Sequence, residues 1–129
     1  MGFLKGWAPQ LLSIFRIITA LLFLEHATAK LFHFPHVPMF DSVQVMSYFG
    51  IAGLIELVFG LLLLFGLFAE IAAFILSGEM AVAYFTVHAP QGFFPILNMG
   101  EGAVFYCFAF LYLAAAGPGP WSVDAVRRR

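Results

Sequence analysis

Ionisable side chains stand in or at the edge of stretches that are otherwise almost wholly apolar. They include Arg16, Glu25, His26 and Lys30 in the first such stretch, Glu56 in the second, Glu79 in the third, and His88 and Glu101 around the start of the fourth. An ionisable group among apolar neighbours is costly unless it faces a partner, a cavity or a helix interface. Carboxylates, a lysine and imidazoles placed together can hold a polar headgroup or pass protons. Their spacing supports such a gathering. His26, Lys30 and His33 fall at i, i+4 and i+7, one face of a helix. Gly53, Glu56 and Gly60 share another face, on which small residues let a neighbouring helix approach the carboxylate. Met80, Tyr84 and His88 make a third stripe.

The elements that must position these groups follow from composition. The 129 residues are 63% hydrophobic, 18% aromatic and only 10% charged. Soluble domains carry about 25% charged residues, and a chain this short leaves much of its surface in contact with solvent. The solvent is therefore lipid, and the expected class is an all-α, polytopic membrane protein. A net charge of −1 argues against nucleic acid as a partner. A single cysteine, Cys107, excludes an internal disulfide.

A membrane-spanning helix needs about 20 mostly apolar residues. Four segments qualify as spans of a single four-helix domain: 11–32, 46–65, 68–87 and 100–116. Prolines follow three of them, at Pro35 and Pro38, Pro90 and Pro95, and Pro118 and Pro120, where they end helices. Only Gly66 and Leu67 separate the second and third segments, which predicts a tight antiparallel hairpin. Lys5 precedes the first span, Arg127, Arg128 and Arg129 end the chain, and the loops 34–45 and 88–101 have neither Lys nor Arg. The positive-inside rule then predicts both termini on the cytoplasmic side and the two long loops outside. Ala27-Thr28-Ala29 after an apolar run resembles a signal cleavage site. Arg16 interrupts that run and Glu25-His26 precedes the triplet, so it reads instead as a close-packing surface.

At about 1.5 Å of rise per residue, this topology gathers the polar groups in the outer half. Glu56 and Glu79 fall near mid-membrane, Glu25 and His26 slightly outward, and Lys30, His88 and Glu101 near the outer face. Arg16 falls on the inner side. His26, Lys30, Glu56, Glu79, His88 and Glu101 are the candidates for ligand binding or proton handling, and Arg16 and Glu25 for structural ion pairing. Carboxylates outnumber the nearby lysine, which predicts that at least one glutamate there carries a proton. The plainer reading is that Lys30 and the glutamates are ties that fix helix register. No metal site is expected. The proline in His33-Phe34-Pro35-His36 breaks helical geometry, and no ExxH pair of the di-iron type occurs.

In this order the motifs resemble the DoxX-like membrane proteins of bacteria, over nearly the whole chain. Arg16 is similar to that family's early arginine. His26-Ala27-Thr28-Ala29-Lys30-Leu31 resembles its His-Gly-x-x-Lys-Leu element, with Ala27 where glycine is usual. Gly53-Leu54-Ile55-Glu56 with Gly60 and Gly66 resembles its second-helix pattern. Met80, Ala83, His88, Phe93-Phe94-Pro95, Asn98, Gly100-Glu101 and Tyr106 are similar to one branch of it. The ending from Gly117 to Asp124 resembles its Gly-Pro-Gly-x-x-Ser-x-Asp tail.

The resemblance implies a four-helix protein of the bacterial cytoplasmic (inner) membrane, tied to respiratory or thiol and sulfur redox metabolism. The family name comes from a quinone-linked thiosulfate oxidation system. The expected function is a redox-associated membrane subunit binding a quinone or similar small molecule in the polar cluster. If it is part of an enzyme, that enzyme is a quinone-linked oxidoreductase. The expected partners are lipid and other membrane or redox proteins, or further copies of the chain. The alternatives are a structural anchor without a site of its own, and a small proton-coupled transporter. The transporter reading meets a chain with no obvious internal repeat and no broken helix.

Overall fold

The structure, a computed structural model, describes residues 1–128, so Arg129 of the C-terminal arginine run lies outside the described residues. Among these residues there are helices and connecting turns and no strand. A short helix α1 (Gly2–Gly6) leads into α2 (Ala8–Phe32), which has Pro9 in its first turn, where a missing N–H is harmless. A one-turn 3-10 helix at Pro38–Phe40 precedes α3 (Tyr48–Phe65). Ser47 caps α3 by accepting from the Gly50 amide at 3.2 Å. Gly66, at φ 72°, ends it in the left-handed conformation that glycine adopts without strain.

Helix α4 (Ala69–Ala83) continues through a π-helical turn at Tyr84–His88 and a 3-10 turn at Ala89–Gln91. The third apolar segment is thus not one regular α-helix: its last turns widen before Pro90, which has no amide hydrogen to continue an α pattern. Helices α5 (Pro95–Asn98), α6 (Glu101–Ala116) and α7 (Val123–Arg127) complete the chain.

Helix α2 packs along α3, α4 packs along α6, and α3 joins the two pairs through its contact with α4. Phe23, Leu63, Leu76, Met80, Phe110 and Leu113 form the buried centre with Ala20, Ala69 and Ala73. The α2–α3 contact is close because Gly60 and Gly53 face α2. A methyl group built on Gly60 would lie 2.7 Å from a Leu24 methyl, and one on Gly53 3.2 Å from Leu31 and Lys30. Ala27 and Ala29, of the small-residue triplet, are buried.

The outside of the bundle is apolar. Ile14, Ile18 and Leu22 form an exposed stripe on α2, and Ile71, Phe74, Phe105 and Phe108 are each more than 60% exposed. In water so continuous an apolar surface would be a liability, whereas in lipid it is the ordinary outcome. The stretches Ala8–Phe32, Tyr48–Phe65 and Ala69–Gln91 are long and apolar enough to cross a membrane. Helix α6 is apolar and shorter, with 16 residues. At 1.5 Å per residue it reaches about 24 Å, against about 30 Å of hydrocarbon.

Candidate functional site

The polar residues of the bundle separate into two groups at opposite ends. At one end α2, α3 and α4 meet the C-terminal tail. Arg16, only 1% exposed, donates to the carbonyls of Pro118, Leu64 (3.3 Å) and Trp121 (2.8 Å). Ser13 donates to the Pro118 carbonyl at 3.3 Å and accepts from the Trp121 amide at 3.0 Å. Asp124 accepts from the amides of Phe68 and Ala69, both at 2.9 Å, and so caps α4 from 55 residues away. Its own amide donates to the Gly66 carbonyl at 2.9 Å. These contacts clasp the tail against the α3–α4 turn.

The ion pairing expected of Arg16 and Glu25 is not what the structure holds. Arg16 makes no salt bridge among the described residues; its guanidinium is hydrogen-bonded to carbonyls, with the Asp124 carboxylate near enough to act on its charge. Glu25 lies nine residues further along α2, about 13.5 Å at helical rise, and its carboxylate is exposed and unpaired among the described residues.

At the other end a cavity of about 250 Å³ opens between α2, α3, the π-helical end of α4 and the start of α6. Lys30 and Glu56 form part of its wall. The lysine Nζ donates to both carboxylate oxygens, at 2.9 and 2.8 Å. Glu56 is fully buried and Lys30 is 8% exposed. Close pairing with two hydrogen bonds is what makes such a burial tolerable, because each ion alone would be strongly destabilising. The rings of Phe40 and Phe49 add cation–π contacts, with centroids 5.7 and 6.0 Å from Nζ. Glu79 lies beside Glu56 and within electrostatic reach of Lys30, although it does not line the cavity. One of its oxygens, Oε1, is buried without a hydrogen-bond partner.

His26 and His88 also line the cavity. The His26 ring packs on Phe23 and meets Tyr106 edge-on, at 5.9 and 5.7 Å between centroids. His88 Nδ1 lies 3.0 Å from the Asn98 carbonyl. Asn98, fully buried, spends its side chain on the same loop: it donates to the Gly92 carbonyl and Tyr84 hydroxyl and accepts from the Gly100 amide. Tyr48 sits at the rim, and its hydroxyl meets that of Thr86 at 2.5 Å.

Four of the six candidates from the sequence, His26, Lys30, Glu56 and His88, therefore share one cavity wall. Glu79 adjoins it. Glu101 heads α6, exposed, where a carboxylate suits the helix dipole. Its neighbours Gly102 and Ala103 line the cavity in its place. His33 leaves the stripe begun by His26 and Lys30, because at φ 58° it has already ended α2. Sequence reasoning missed Tyr48 and Phe49, yet Tyr48, Ala52 and Glu56 stand at i, i+4 and i+8, a face that ends on the carboxylate. No group of three or more His, Cys, Asp or Glu residues among those described is placed to hold a metal ion.

The profile of the DoxX family matches residues 11–89, the stretch that carries Arg16, the Lys30–Glu56 pair and His88. The chain belongs to the DoxX family. It is 43% identical to an uncharacterised protein of Haemophilus influenzae over 129 residues, covering 96% of each chain. No solved structure matches this DoxX protein.

Proposed function

We propose that this DoxX-family membrane protein is a redox-associated subunit that holds a quinone, or a similar small lipid-soluble molecule, in the cavity beside Lys30 and Glu56. In this reading α2, α3, α4 and α6 all cross the bacterial cytoplasmic membrane, both termini are inside, and the cavity lies towards the outer face. The shorter α6 completes its crossing with the α5 turn that leads into it. The partners are other membrane or redox proteins, or further copies of the chain.

The observation that carries the reading is the composition of one cavity: apolar and aromatic walls around a few convergent polar groups, which is the usual make-up of a small-molecule site. Its volume supports a single ring. An engineered cavity of about 150 Å³ accepts benzene, so about 250 Å³ suits a six-membered ring with a few small substituents.

The test is solvent extraction and mass spectrometry of the purified protein. Roughly one quinone per chain is expected in the unmodified protein, and its loss is expected in a Lys30→Met, Glu79→Gln variant that remains folded. Protein that neither retains quinone nor takes it up on reconstitution contradicts the reading. A second reading, a structural subunit without a ligand, is favoured by one observation: Lys30 and Glu56 satisfy each other. It predicts that substitutions there change assembly and leave the partner's activity intact once assembled.

A further inference from the structure

Two cavity groups have already committed their hydrogens to the protein. The Asn98 carbonyl can only accept, so His88 Nδ1 is the donor in their 3.0 Å contact. An uncharged His88 is thereby fixed in the Nδ1–H tautomer, and Nε2 is left with its lone pair. No described residue hydrogen-bonds to that nitrogen. Tyr48 is constrained in the same way. Thr86 Oγ1 donates to the Val82 carbonyl at 2.8 Å, which uses its only hydrogen. The 2.5 Å contact between the two hydroxyls therefore runs from Tyr48 to Thr86. What remains on the Tyr48 oxygen is an acceptor.

The lysine end of the wall complements this. Two of the three Lys30 hydrogens are taken by Glu56, and the rings of Phe40 and Phe49 flank the ammonium. Little of its donor capacity is left for an anion. The π-helical turn at Tyr84–His88 makes the arrangement possible, because both Thr86 and His88 belong to it. Such turns occur within α-helices frequently at functional sites.

We propose that the cavity selects a ligand that donates hydrogen bonds: a hydroxyl-bearing ring, and among quinone-type molecules the reduced quinol, read by His88 Nε2 and the Tyr48 oxygen. This deepens the proposed function and rests on it. A quinone presents only carbonyl acceptors, so at these two positions carbonyl and acceptor both go unpaired, and its hydrogen bonds are left to other groups of the wall such as His26 and Tyr106. A quinol turns the same positions into hydrogen bonds.

The test compares the affinity of a short-chain benzoquinol, kept reduced under anaerobic conditions, with that of the same molecule oxidised. Both are titrated into the purified protein in lipid nanodiscs. The quinol is expected to bind about ten-fold more tightly, the equivalent of one well-placed hydrogen bond. Three variants locate the effect. His88→Asn keeps a donor for the Asn98 carbonyl and removes the Nε2 acceptor. Tyr48→Phe removes the other acceptor. His88→Gln places near the Nε2 position an amide that can offer either an acceptor or a donor. The preference should shrink to two-fold or less in His88→Asn combined with Tyr48→Phe and fall to an intermediate value in His88→Gln, with melting temperature confirming that each variant is folded. Equal binding of the two forms, or a preference that survives the double substitution, overturns the inference and leaves the proposed function standing. Binding of neither form overturns both.

Discussion

The two polar ends of this bundle solve the problem of burial in opposite ways. At the tail end Arg16 meets backbone carbonyls, Asp124 meets backbone amides and Ser13 meets both kinds of group. Those contacts link residues up to 108 positions apart, and the hollows beside them, at Asp124 and at Trp121, are more open to the surroundings than the cavity at the other end. At the cavity end side chain meets side chain. Lys30 and Glu56 pair across α2 and α3, Glu79 crowds them with an unpartnered oxygen, and two imidazoles border open volume. A clasp made of backbone contacts is a way to fix geometry. A cavity wall with spare acceptors and an excess carboxylate is a way to meet a guest.

Substitutions at each end separate the two kinds of burial. The largest effect is expected from Arg16→Met, which strips the Leu64 and Trp121 carbonyls of their donor and leaves the Pro118 carbonyl with Ser13 alone. A loss of about 3–5 kcal/mol follows from leaving buried acceptors unpaired at about 1–3 kcal/mol each. Arg16→Lys should rescue little of it, because one ammonium does not reproduce the guanidinium fork. Thermal unfolding in detergent measures both.

Lys30→Met comes next, at about 3 kcal/mol or more, because it strands the buried Glu56 carboxylate. Here the ends should diverge. Adding Glu56→Gln should restore most of the lost stability and none of the ligand binding, a pattern with no counterpart at the clasp. If the double variant binds ligand as before, the cavity wall is only a tie.

Asp124→Ala removes the cap on α4 and is expected to cost about 1 kcal/mol without altering ligand content. Glu79→Gln should be the mildest for stability. It relieves the crowding of two carboxylates around one lysine and keeps the shape, so a melting temperature equal to or above the starting protein is expected. A marked drop would mean that Glu79 holds the fold together.

Much of the bundle was legible in the apolar runs, since a 20-residue stretch without partners for its charges has few places to go but lipid. The helices α3 (Tyr48–Phe65) and α6 (Glu101–Ala116) fall on the apolar runs 46–65 and 100–116. The cavity was legible in part, because His26 and Lys30 on α2 stand one turn apart and mark a face. The clasp was not. Asp124 reads in sequence as a charge near a terminus, and nothing local says that its amide partners are Phe68 and Ala69. Arg16 in an apolar run suggests an acidic partner, and the carbonyls that take that place leave no trace in residue type. The π-helical turn was equally hidden: Met80, Tyr84 and His88 fit an ordinary helix by spacing, and nothing in that pattern marks the widening at Tyr84–His88.

The most direct measurement of the division between the two ends is photo-crosslinking with a reactive benzoquinone analogue, followed by peptide mapping. Adducts should concentrate on the segments around Tyr48–Ala52 and Gly102–Tyr106, compete away with unlabelled quinol, and disappear in Lys30→Met with Glu56→Gln. Adducts spread along the lipid-facing stripe of α2, or gathered at the clasp around Trp121, would contradict a ligand site beside Lys30 and Glu56.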